Sequence, residues 1–83
     1  MNASESAVLQ MFRAYRMEPN QILCLHAGFA KSHPQEFSNA VGSLVEQELL
    51  VKERWRDAYS LTPSGYAASL RTSAARQAEG RSN

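Results

Sequence analysis

A single cysteine, Cys24, excludes an intrachain disulfide and any zinc site built on paired thiolates, and it fits a reducing compartment. The two histidines, His26 and His33, have no carboxylates at ligand spacing, so no metal site is expected. An excess of one charge is also missing. Nine Lys and Arg stand against eight Asp and Glu, a net charge of +1, whereas a dedicated nucleic-acid binder often carries a clear basic excess. Arg71, Arg76 and Arg81 lie beyond Leu70, so the rest of the chain is closer to slightly acidic, and affinity for phosphates has to come from local placement. No segment approaches the roughly 20 apolar residues needed to span a bilayer. The start MNASESAV lacks the basic residues and apolar run of a signal peptide. A cytoplasmic chain without a membrane partner is expected. Neither a glycine-rich phosphate loop nor paired carboxylates nor a nucleophile–base pattern occurs, so no catalytic residue and no cofactor is assigned, and an enzyme is not expected.

Apolar residues make up 43% of the chain and charged residues 20%, close to ordinary globular values. Its 83 residues suffice for one thin core that buries about 60% of the unfolded surface. One domain over residues 4–70 is expected, followed by a polar, alanine-rich tail over 71–83 that frays.

Asn2, with Glu5 three residues on, reads as a capping box, with Ser4 as the alternative cap. Val8, Met11, Phe12 and Tyr15 then mark the apolar face of a helix running to about Met17. Glu18-Pro19-Asn20 interrupts it. Residues 21–30 are largely apolar and long for a strand, which predicts a short buried helix with Cys24 as a small buried hydrophobe. Ser32 ahead of Pro34 and Gln35 is a helix start with a side-chain cap. The helix it opens carries Phe37, Ala40, Val41, Leu44, Val45 and Leu49 on one face, with Glu36, Ser38, Asn39, Ser43, Glu46 and Gln47 on the other. After Leu49 the period changes to two. Val51, Glu53 and Trp55 against Tyr59 and Leu61 predict two short strands around a turn at Trp55-Arg56-Asp57. Thr62 then caps a last helix opened by Pro63 and running through Leu70.

The expected class is therefore mainly α with a small β-hairpin (α+β), in the order helix, helix, helix, hairpin, helix. Ala40-Val41, Leu44-Val45 and Glu48-Leu49-Leu50, followed by Tyr59, Leu61, Thr62 and Gly65 in the run YSLTPSG, resemble the winged helix-turn-helix domains of MarR-type bacterial transcriptional regulators. One departure is Glu48, where that family usually has glycine. Its helix is expected either to end differently or to pass strain to the wing, since a left-handed non-glycine residue costs about 1 kcal/mol.

The resemblance implies a small regulator that binds double-stranded DNA, with helix 32–49 in the major groove and wing 50–62 on the backbone. Gln35, Ser38, Asn39 and Ser43 would face base edges, with Gly42 allowing close approach. Lys31, Lys52, Arg54 and Arg56 would reach phosphates or a minor groove. The same residues also suit a plain solvated surface. Polar helix faces aid solubility, Glu36 and Glu46 repel phosphates, and Glu53 and Asp57 can pair with the hairpin's cations. Trp55 either folds back on the hairpin or anchors a protein partner, the mark of a winged-helix adaptor. Family members pair their recognition helices as dimers, and here the first or last helix can pair with a second copy.

Overall fold

The computed structural model describes residues 2–25 and 29–81, with side chains over 2–25 and 30–72. Its elements are α1 (Ala3–Ala14), β1 (Ile22–Cys24), α2 (Phe29–Ser32), α3 (Pro34–Glu46), β2 (Leu50–Lys52), β3 (Ala58–Leu61) and α4 (Pro63–Arg81). Among the described residues, four helices and a three-stranded antiparallel sheet make a small α+β domain. The last helix continues past Leu70 to Arg81.

The capping box at Asn2 forms: its Oδ1 accepts the Glu5 amide and Glu5 Oε1 accepts the Asn2 amide, both at 2.8 Å. This satisfies two of the donors that every helix N-terminus leaves open. Val8, Leu9 and Phe12 of α1 are fully buried. Tyr15 lies just past the end of α1 and is 68% exposed, so it leaves the apolar face predicted for it.

The helix predicted over residues 21–30 does not form across that run. Ile22–Cys24 is instead an edge strand, paired antiparallel as Ile22 to Ser60, Leu23 to Tyr59 and Cys24 to Ala58. Asn20, in the left-handed region at φ 73°, turns the chain into it, and its amide donates to Leu61 O at 3.0 Å. Without β1, one edge of β3 would lack backbone partners; pairing across the fold outweighs local helical preference. Strand alternation sends Leu25 inward and Cys24 out, so the cysteine is exposed rather than buried. Residues 26–28 of the same run lie outside the described residues.

The sheet order is β1-β3-β2, and the β2–β3 hairpin pairs Leu50 with Leu61, Val51 with Ser60 and Lys52 with Tyr59. β2 stops at Lys52, short of the predicted strand through Glu53 and Trp55, and Trp55 lies in the predicted turn with Arg56 and Asp57. Phe37, Ala40, Val41 and Leu44 of α3 meet the α1 residues, Leu25, Leu50, Leu61 and Ala68 in one core.

α3 begins without the predicted Ser32 cap. His33 is the N-cap, no side-chain bond closes it, and Pro34 supplies the first turn's fixed φ. Ser32 closes α2, and its Oγ lies 3.0 Å from His33 Nδ1. At the other end Glu48 takes the left-handed conformation, φ 62°. Its amide donates to Val45 O and that of Leu49 to Leu44 O, the bonding of a glycine-terminated helix. The helix thus ends as glycine would end it, at a cost of about 1 kcal/mol. Thr62 offsets part of this. Its Oγ1 donates to Glu48 O at 2.7 Å and its amide to Leu49 O at 3.1 Å. The same Oγ1 accepts the Gly65 amide at 2.9 Å and so caps α4 as predicted.

Glu5 does more than cap. Its second oxygen, Oε2, accepts Ser43 Oγ at 2.5 Å and Gln47 Nε2 at 2.9 Å, tying the start of α1 to the last turns of α3. The bonds from Ser43 and the Asn2 backbone hold its carboxyl below the usual glutamate range, against the opposing effect of burial. A carboxyl lowered in the folded state stabilises the fold fully above the ordinary glutamate value of 4.5. That stability is lost as pH falls through the lowered folded value. Glu5→Gln is expected to cost about 1.5 kcal/mol at neutral pH, with the gap to the parent protein closing in acid. Urea unfolding across pH checks this; curves that stay parallel down to strong acid would contradict it.

Candidate nucleic-acid interface

On α3 the residues opposite the buried face are Gln35, Ser38, Asn39, Gly42 and Glu46, all exposed. Gln35 Nε2 donates to Asn39 Oδ1 at 3.1 Å, a bond between successive turns. It engages the Asn39 carbonyl oxygen and leaves that carboxamide's N–H donors available on an exposed side chain. Gly42 is open: a Cβ built there meets nothing within 4 Å.

Ser43 does not join this face. It sits on the flank turned toward α1, where its hydroxyl donates to Glu5 and accepts from Gln47 Nε2 at 3.0 Å. A residue predicted to read bases is thus a strut between helices. Glu5 and Gln47 were not visible as its partners in the sequence. The capping box pointed to one Glu5 oxygen, but the partners of the other come from the far end of α3.

Lys31 is exposed at the end of α2. In the hairpin, the charges separate by position. Lys52 Nζ donates to Glu53 O at 2.8 Å and Trp55 O at 2.9 Å, and it lies 5.3 Å from the Tyr59 ring centroid. Its cation is engaged in closing the turn, which leaves little reach for a phosphate. Glu53 is also engaged, accepting Ser60 Oγ at 2.6 Å over the outer face of the sheet. Arg56 is 96% exposed, with Nε 3.8 Å from Asp57 Oδ2, a pair of small energetic weight at such exposure. Arg54 is exposed as well, and among the described residues its guanidinium has neither a hydrogen bond nor an ion pair. The cross-strand ion pairs predicted for the hairpin are absent among the described residues. Trp55 does not fold back and is 56% exposed.

A shallow groove of about 710 Å³ runs between α3 and the hairpin. Ser38, Gly42 and Val45 border it on one side, Lys52, Asp57 and Tyr59 on the other. Burial, and secondarily Asp57, pushes the Tyr59 phenol up, so it stays neutral beside Lys52. The helix face and the hairpin therefore border one surface. Asp57 is the acid that lines the groove, and Glu36 and Glu46 are exposed elsewhere on α3.

Among the described residues no group of three or more His, Cys, Asp or Glu side chains is placed to hold a metal ion, and no helix is long and apolar enough to cross a membrane. Comparison with models of protein families, with curated proteins and with solved structures finds no match for this chain.

Proposed function

We propose that the chain is a winged helix-turn-helix module that binds double-stranded DNA and acts as a small transcriptional regulator, with α3 in the major groove and the hairpin 50–62 as the wing on the backbone. The observation that carries this reading is the outward face of α3. A hydrogen-bonded Gln35–Asn39 pair stands on that exposed face with an open glycine, Gly42, and it is Gly42 and Ser38 that border the groove shared with the hairpin. Carboxamides pair bidentately with adenine edges in a major groove. The element order, with a third strand beside the hairpin, agrees with a winged helix. Ser38 completes the reading surface, and Lys31, Arg54 and Arg56 supply its phosphate contacts.

Gly42 gives the first test. Inside an exposed helix, glycine costs about 1 kcal/mol relative to alanine, and no contact among the described residues requires it. Gly42→Ala is expected to raise stability by about that amount while weakening binding to duplex DNA, because the new methyl group meets the bases. A thermal melt and a DNA titration read the two effects separately. Gains in stability with unchanged DNA affinity would place the duplex elsewhere.

A second reading, an adaptor that binds another protein, is favoured by a different observation. Ile22 and Val51, both paired across Ser60, are 42% and 45% exposed on the outer face of the sheet. It predicts capture of a protein partner that Val51→Asp abolishes, with no salt-dependent binding to DNA.

A further inference from the structure

The hairpin tip presents one aromatic ring between two arginines, on a backbone that is already fixed. Lys52 closes the turn from one side. The Glu53 amide donates to Ala58 O at 2.9 Å, and the Ala58 amide to Trp55 O at 3.2 Å. Asp57 takes the left-handed conformation at φ 58° that the reversal needs. Holding the turn in place consumes Lys52 and Glu53 and leaves Arg54, Trp55 and Arg56 facing solvent. Among the described residues no ring or cation lies against the indole. An exposed tryptophan that contributes nothing to the core, on a tip this well ordered, is preorganised for a flat partner.

Resting on the DNA-binding reading above, we propose that Trp55 stacks on an unpaired nucleic-acid base, with Arg54 and Arg56 holding the phosphates on either side of it. The preferred target is then a duplex that carries a single-stranded extension or an unpaired base, not a blunt, fully paired one. The chemistry selects this occupant. An aromatic face with flanking guanidinium groups matches a base with its two phosphates, and such stacking tolerates any base. In a paired duplex the base faces are covered by their neighbours, and opening a step costs about what one stack returns. An unpaired base is free of that cost.

Trp55 is the only tryptophan of the chain, so its emission reports on this contact alone. The full chain is titrated with a blunt duplex, with the same duplex bearing a single-stranded extension, and with a protein lysate. The expected result is quenching of Trp55 by the extended duplex and roughly tenfold tighter binding of it than of the blunt one. In Trp55→Ala that preference disappears while affinity for the blunt duplex stays. Trp55→Phe keeps part of the preference. Circular dichroism of both variants, expected to match the parent because the side chain is exposed, guards against misfolding. DNA binding without any change in Trp55 emission would overturn the inference and leave the DNA-binding reading standing. Emission that responds to protein and not to DNA would overturn it in favour of the adaptor. Absence of binding to either DNA overturns both.

Discussion

Gly65→Ala is expected to destabilise the domain by about 3 kcal/mol, near the upper end of what overpacking a core costs. A Cβ at Gly65 would stand 1.9 Å from the carbonyl oxygen of Leu49 and 2.8 Å from its carbonyl carbon. Both are backbone atoms, so no side chain can rotate away, and relief requires α4 to move off the link between α3 and β2. That link is where Thr62 joins the two segments through Glu48 O and Leu49 O, so a shift also breaks the cap of α4. For a domain of this size the melting temperature should fall by roughly 15 °C. Thermal unfolding followed by circular dichroism checks it. A midpoint within about 2 °C of the parent would contradict a tight backbone contact at Gly65. The contrast with Gly42 is informative, because the same chemical change is predicted to stabilise one helix and to disrupt the other. Helix propensity favours alanine at both; the neighbours decide the sign.

The double variant Asn39→Ala, Arg54→Ala is expected to lower affinity for duplex DNA by roughly a hundredfold. A bidentate base contact is worth about 1–3 kcal/mol, and one phosphate contact adds to it while reducing the salt slope by about 1. Both side chains are exposed and outside the core, so stability should change by no more than about 0.5 kcal/mol. Gln35 loses its bond to Asn39 but remains solvated. Electrophoretic shift or anisotropy titrations of parent and variant at one low salt concentration measure the effect. Equal affinities would remove α3 and the wing from the interface.

What was legible in the sequence was local. The capping box at Asn2 and Glu5, the apolar face of α3 and the Thr62-Pro63 start of α4 each depend on residues within a turn or two, and each formed. The hairpin was also legible, because its period and turn residues lie side by side. β1 was not. Ile22 to Cys24 read as helix because a short apolar run has no period to distinguish the two, and its partner strand lies more than thirty residues away. Ser43 was misplaced for the same reason. Its position between the polar and apolar faces is ambiguous until α1 brings Glu5 to it. The charges of the hairpin nearly cancel in sequence, and only the turn geometry shows that Lys52 and Glu53 are engaged while Arg54 and Arg56 face outward. Glu48 lies between these cases: the departure from glycine was visible, but only the backbone shows that glutamate adopts glycine's conformation there.

On the function proposed above, the surface formed by α3 and the hairpin binds duplex DNA. The most direct test is the equilibrium affinity of the unmodified chain for a mixed-sequence duplex, measured across a range of salt concentrations. Contacts from Lys31, Arg54 and Arg56 predict log K falling linearly with log salt, with a slope of roughly −2 to −3, one counterion for each phosphate neutralised. Absence of binding at low salt, or an affinity that salt does not change, would contradict the account.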